Sequence, residues 1–441
     1  MNTNRRSFLQ TAAAMAAATS LPNWYLNELT QSAVAAQPLD EQPAIALIGC
    51  GGMGKGDAKN ASRFGRIVAL CDVDDSQLAS AKKLWPDAET YKDFRKVMDR
   101  KDIQVVICGT VDHWHTLISL AALRSKKDVY CEKPLTLTID EGVRLVREAS
   151  QSRRILQTGS QQRSDRRFRL AIHLVQSGRI GKLRHILSSL PSGRHGGPFP
   201  SGTAPAELNW DVWQGQAPRK DYVKERCHGE FRYWWDYSSG TLTDWGAHHN
   251  DIALWGQGPE IRGPVGVSAQ SLRDPIPGGY SFPSLYRVQY TYANGVTHTC
   301  QTVSSESPSG GTTGTTPPGQ MANGVLFEGS EGWIYVSRNQ IQASQAEILQ
   351  DPDARADFGP AHESHVGNFF ACVASRQVPA APAEVGHRAV SLCHLGAIAL
   401  RLGRSLHWDP AAERFQGEGS REANHHLSRE MRAPYNYRYI A

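Results

Sequence analysis

The chain has 441 residues, 40% of them hydrophobic, with 48 Lys and Arg against 43 Asp and Glu and a net charge of +5. The basic excess is mild and forms no block, which argues against a nucleic-acid partner. Past the N-terminus no uncharged apolar run reaches the roughly 18 residues of a membrane span. The length exceeds one typical core, so at least two domains are expected.

In chain order, the first element is a targeting segment. Asn4-Arg5-Arg6-Ser7-Phe8-Leu9 places paired arginines before the Ala-rich stretch Phe8–Leu21, and Ala33-Val34-Ala35 resembles a small-residue cleavage site. This reads as a twin-arginine export signal over 1–36, which predicts a periplasmic or otherwise exported protein that uses the twin-arginine machinery. A buried Ala-rich helix or an uncleaved anchor is the alternative.

Ala44–Ile48 is a short apolar run of the length of a buried parallel strand. It leads into Gly49-Cys50-Gly51-Gly52-Met53-Gly54, a G-x-G-x-x-G, and a second apolar run, Ile67–Cys71, ends at Asp72. Gly49 allows the tight turn, Gly51 lets backbone approach a pyrophosphate, and Gly54 lets helix and strand pack closely. Asp72 stands roughly 20 residues on, where a carboxylate accepts from ribose hydroxyls. The loop Gly49–Gly54, with Gly52 and Met53 inside it, and Asp72 are therefore candidate cofactor contacts. No base follows in Cys71-Asp72-Val73-Asp74-Asp75, and these acids would repel a 2′-phosphate, which favours NAD over NADP.

Strands at Val105–Gly109, Val129–Cys131 and Arg154–Thr158 alternate with helices through Leu117–Leu123 and from Thr138 to about Ser150. The alternation predicts a doubly wound parallel sheet over 37–160, with ligands beyond the C-terminal strand ends, where Thr110–His115 and Glu132-Lys133-Pro134 fall. From 161 to 441 the pattern changes. A helix over about Asp165–Ser177 precedes strand-like runs at Leu183–Leu190, Pro264–Ser271, Tyr286–Tyr292, Val296–Cys300 and Gly332–Ser337. Asn294-Gly295 is a hairpin turn. The second domain is therefore read as α+β with a mostly antiparallel sheet. Ser304–Gly319 reads as a Gly/Ser/Thr/Pro-rich surface loop, with a lid as the alternative.

Cys50, Cys71, Cys108 and Cys131 sit in or just after apolar runs, as small buried residues do, and no C-x-x-C occurs. The pairs His113/His115 and His248/His249 are isolated and no H-E-x-x-H appears, so no metal is expected.

The loop Gly49–Gly54, Asp72, Glu132-Lys133-Pro134 and the segment Asp244-Trp245-Gly246-Ala247-His248-His249-Asn250-Asp251 together resemble the Gfo/Idh/MocA oxidoreductases. Gly324–Gly329 and Asn368-Phe369-Phe370 are similar to a longer bacterial subgroup with exported members. The resemblance implies an N-terminal Rossmann domain and a C-terminal domain with a large open sheet that often mediates oligomerisation, here as a dimer or tetramer. It also implies NAD(P)-dependent hydride transfer on a sugar or polyol, with the cofactor held tightly.

On that resemblance Lys133 bonds the reacting hydroxyl and takes part in proton transfer, and His248 is the general acid/base. Asp244, one helical turn before His248, would hold substrate hydroxyls or orient the imidazole; Asp251 could partner it from the other side. Thr110, His115 and Glu132 would lie at the cofactor with Lys133. The family usually has Pro after this Thr, where Val111 stands here. Arg163 is a candidate substrate contact after the last Rossmann strand, and Trp235, within Tyr233–Tyr237, a candidate sugar platform. Two other readings stand beside this one: an NAD-dependent glycoside hydrolase using transient oxidation, and a non-catalytic sugar- or NAD-binding protein.

Overall fold

The computed structural model describes residues 42–303, 323–350 and 364–440. The export segment over 1–36 and the Ser304–Gly319 loop lie outside these. The first layer is built from β1 (Ala44–Ile48), α1 (Gly52–Ala61), β2 (Arg66–Cys71), α2 (Asp75–Lys82), β3 (Glu89–Tyr91), α3 (Phe94–Asp99), β4 (Val105–Cys108), α4 (His115–Arg124), β5 (Asp128–Cys131), α5 (Ile139–Ser152) and β6 (Leu156–Thr158). All residues of β1, β4 and β5 are buried, as strands covered by helices on both faces must be. The six strands are parallel in the order β3-β2-β1-β4-β5-β6, the doubly wound arrangement that the alternation predicts. β3 escaped sequence analysis because its three residues are exposed or half-exposed and carry no apolar run.

The second layer comprises α6 (Arg166–Gln176), β7 (Leu183–Pro191), α7 (Trp210–Gln214), α8 (Gly240–Gly256), β8 (Gly266–Arg273), β9 (Leu285–Thr291), β10 (Thr297–Val303), β11 (Gly324–Gly329), β12 (Trp333–Val336), β13 (Ile341–Ala343), α9 (His365–Ser375), α10 (Ala383–Leu402), β14 (Leu406–Asp409), β15 (Arg414–Gln416) and α11 (Ser420–His425). Nine strands run in the order β13-β12-β11-β7-β10-β9-β8-β14-β15. β7 and β10 are parallel and the other paired neighbours antiparallel. The β9–β10 hairpin turns at Asn294-Gly295, where Gly295 has φ +83° and Asn294 accepts from the Val296 N–H at 3.1 Å. Alternate residues of β9 are exposed, which leaves one sheet face open while α8 and α10 pack on the other.

The chain then returns to the first layer. Gln157 donates to the His365 carbonyl at 2.7 Å, the Thr158 N–H to Ala381 at 2.8 Å, and Arg376 pairs with buried Asp128 at 2.8 Å. Phe369 is buried in one cluster with Ile45, Leu47 and Tyr130, and Tyr435 and Ile440 in another with Trp114. No helix among the described residues is long and apolar enough to cross a membrane. Because Phe369 is fully buried where α9 meets the Rossmann layer, Phe369→Ala is expected to cost about 3–5 kcal/mol in a urea titration. A loss of a few tenths would show that α9 does not anchor the two layers.

Candidate active site

The nucleotide cradle follows from three glycines. Gly49 has φ +90°, and a Cβ there would sit 2.6 Å from the Gly109 carbonyl and the Thr110 nitrogen. A Cβ on Gly54 would lie 2.0 Å from the Gly49 oxygen, so α1 packs directly on the turn. Gly51 and Gly52 have nothing within 4 Å of a Cβ position. They open the N-terminus of α1 to solvent, the space a pyrophosphate needs; Met53 beside them is 55% exposed. Asp72 accepts from the Cys50 N–H at 2.6 Å and the Asp74 N–H at 3.0 Å, so it braces the loop as well as standing at the end of β2. Burial raises its carboxyl above the ordinary value against these bonds. Thr110 lies across from the turn, and Val111 after it takes φ −75° and ψ 151°, the conformation a proline would impose. The missing proline therefore leaves the loop shape intact.

At the end of β5 the chain passes through Glu132, Lys133 and a cis Lys133–Pro134 bond. His115 is 1% exposed, its Nδ1 facing the Pro134 carbonyl at 2.7 Å and its Nε2 the Thr110 carbonyl at 3.2 Å. It ties the two loops together from below. Cys108 and Cys131, in register across β4 and β5, bring their sulfurs within 4.8 Å of its ring. Glu132 is also buried, accepting from Gln161 at 2.8 Å and the Lys133 N–H at 3.3 Å. Beside it on α1 stands buried Asp57, whose carboxyl is pushed up to about 9 by burial and by the Glu132 charge. Burial raises the Glu132 carboxyl as well, so full ionisation of both carboxyls under Lys133 is disfavoured.

The second layer supplies the facing wall from α8. Lys133 Nζ donates to Asp244 Oδ1 at 2.5 Å, and Arg232 Nε lies 3.3 Å from the same oxygen. Burial alone would raise the Asp244 carboxyl; Lys133 and Arg232 outweigh it and hold the group below the usual carboxylate range. His248, one turn along, is 4% exposed, and its Nδ1 has no partner among the described residues. Burial, then the charges of Lys133 and Arg338, push its pKa well below the ordinary imidazole value. His249 points elsewhere, bonding Asn323 at 2.8 Å.

Three predicted residues have other partners. Arg163 and Asp251 are bonded to each other, at 2.7 to 3.0 Å through three hydrogen bonds, with Arg163 4.6 Å over the Trp255 ring. They brace α8 against the segment after β6. Trp235 packs on Phe282 at 4.5 Å and under Arg401 at 4.4 Å, not on the Lys133–Asp244 pair. Arg232 and Arg338 reach the site without a sequence pattern that marks them. Arg232 sits one residue before the aromatic run, where a lone cation could have been read with it; Arg338 lies between β12 and β13, in no recognisable pattern.

With this geometry in hand, comparison with known proteins is decisive for the family. Residues 198–437 match a family model described as the oxidoreductase family C-terminal alpha/beta domain, and 44–160 its NAD-binding Rossmann fold. The chain belongs to the Gfo/Idh/MocA oxidoreductase family. Residues 2–22 match the twin-arginine pathway signal sequence, so the protein is addressed for export by that route. Inositol 2-dehydrogenase of Burkholderia ambifaria is 34% identical over 142 residues, which are 31% of this chain and 42% of the relative. The match thus spans less than half of that enzyme. Two solved structures share the fold. One is the WlbA dehydrogenase of Bordetella pertussis, in complex with NADH and UDP-GlcNAcA (TM-score 0.63, 16% identity, 85% of this chain and 99% of that one). The other is aldose-aldose oxidoreductase of Caulobacter crescentus (TM-score 0.61, 18% identity, 83% and 100%).

A Gfo/Idh/MocA Rossmann domain binds NAD, and the open cradle at Gly51 and Gly52 fits it. A side chain at Gly51 meets no protein atom, so Gly51→Val is expected to fold normally yet weaken NAD binding by about 10- to 100-fold, the value of one or two backbone bonds to a charged phosphate. Fluorescence titration with NADH checks this; unchanged affinity would place the dinucleotide elsewhere.

Proposed function

We propose that the protein is an exported NAD-dependent dehydrogenase that oxidises a hydroxyl-bearing carbon of a sugar or polyol. The observation that carries the reading is the Lys133–Asp244 contact at 2.5 Å, with neutral, buried His248 one turn further along the same helix. The pair stands where the carboxyl ends of β4 and β5 open beside the cradle.

A substrate hydroxyl entering there would accept from the Lys133 ammonium, whose position Asp244 fixes. His248 would take the hydroxyl proton as the carbon is oxidised, since an imidazole held neutral is a base ready to act. Bound NAD supplies the hydride acceptor. Arg163 and Asp251, bonded to each other, would keep α8 in register instead of touching substrate. NAD is preferred to NADP because Asp72, Asp74 and Asp75 surround the end of β2 with negative charge. Self-association would use the open face of the nine-stranded sheet.

Lys133→Met and His248→Asn are each expected to lower kcat/KM for an identified sugar by about 100- to 10,000-fold, with NADH affinity largely kept for His248→Asn. The pH dependence has a definite sign. A base whose pKa is depressed remains neutral as pH falls through the ordinary imidazole range, so any acid limb of kcat/KM due to His248 lies below about pH 6.5. A limb near pH 7 that disappears in His248→Asn, or full activity in either variant, would remove these roles.

A further inference from the structure

We propose that a cleft of about 60 Å³ beside Trp235 is a binding site for a small oxyanion of phosphate size and charge. It lies between the C-terminal turn of α10, the start of α8 and the loop leading into α5. Arg401, Arg429, His426 and Ser428 line it together with Ser239 and Thr138, and no carboxylate lines it.

The positive charge of the two arginines is not paired with a carboxylate by a salt bridge among the described residues. Arg401 lies 4.4 Å over the Trp235 ring and has no hydrogen-bond acceptor among the described residues. Stacking uses the face of a guanidinium and leaves its in-plane N–H groups free. Arg429 donates to the Asp236 and Trp235 carbonyls, which neutralise none of its charge. Burial lowers the pKa of both arginines, and each stands close enough to Asp236 to feel it. Yet Asp236 is taken by Arg226 at 2.8 Å, and Glu141 accepts from the Leu137 and Thr138 N–H groups at 2.8 and 3.2 Å. Ser239 caps α8 without a side-chain cap bond, so its hydroxyl and the positive end of a 17-residue helix add to the cations. Two guanidinium groups, hydroxyls and a helix start around a cleft whose lining holds no carboxylate form a phosphate-type receptor. Trp235 therefore serves as the stacking floor of this cleft. Since Ser239 lies five residues before Asp244 and Thr138 five after Lys133, an anion here would tie together the segments that carry both.

The test uses the signal-free full-length protein saturated with NAD, so that the glycine loop is filled. Inorganic phosphate is titrated calorimetrically at constant ionic strength, with chloride as control. Saturable binding is expected, with Kd raised about 10-fold or more by Arg401→Gln and the melting temperature without phosphate unchanged. Should that variant not fold, His426→Gln is read in the same way. Glucose 6-phosphate is titrated in parallel. Tighter, Arg401-dependent binding of it supports the site and identifies a phosphorylated metabolite as the source, whereas binding of inorganic phosphate alone supports the site and identifies the free ion. Absence of saturable uptake over chloride, or an unchanged Kd in the variants, overturns the proposal.

Discussion

The bond between Lys133 and Asp244 is the constraint on which the rest of the site depends. The two residues belong to different layers, one at the end of a Rossmann strand and the other on the helix that covers the nine-stranded sheet. Their side chains are only 10% and 21% exposed. Removing one partner of a pair this enclosed strands a charge, at a cost of about 3–5 kcal/mol. The interlayer cleft thus has one preferred geometry, and that geometry sets His248 beside a fixed positive charge. The depressed imidazole pKa follows from burial first, with the charges of Lys133 and Arg338 adding to it.

The nucleotide side rests on packing instead of charge. Gly49 and Gly54 are required by contacts of 2.6 and 2.0 Å that no side chain could accommodate. Gly51 and Gly52 are under no such demand, since nothing lies within 4 Å of a Cβ at either, and the space beside them is open. Asp72 links the two: its carboxylate holds the Cys50 N–H and so fixes the turn whose far side faces the ligand. The acid at the end of β2 is for that reason structural before any ribose is bound.

Much of this was legible in the sequence, and the exceptions have physical causes. The Rossmann strands could be read because burial on both faces demands continuous apolar runs; β3, at the sheet edge, has no such demand. The glycine loop, Asp72, Lys133, Asp244 and His248 stand out in the sequence by their spacing along the chain, and the fold brings Lys133 onto Asp244 and Asp72 onto the glycine loop. Arg232 and Arg338 do not stand out, because they reach the site through tertiary packing from segments without a pattern. Arg163, Asp251 and Trp235 show the converse. Their residue types suit a sugar, but the fold pairs the first two with each other and turns Trp235 towards Arg401. Residue type constrains what a side chain can bind, while only the fold determines which partner arrives.

The buried carboxyls beneath the cleft complete the electrostatic argument. Glu132 and Asp57 are both buried under Lys133, and two full negative charges there would cost far more than one. Burial raises both carboxyls, and the Glu132 charge helps push Asp57 up to about 9, so the negative charge beneath the ammonium is reduced while Asp244 faces it from the other layer. A charged donor and a neutral base side by side are what removal of a hydroxyl proton requires, and burial together with the Lys133 charge disfavours protonation of His248. Because that balance is assembled from both layers, it exists only in the folded protein, which agrees with a twin-arginine route that carries its cargo folded.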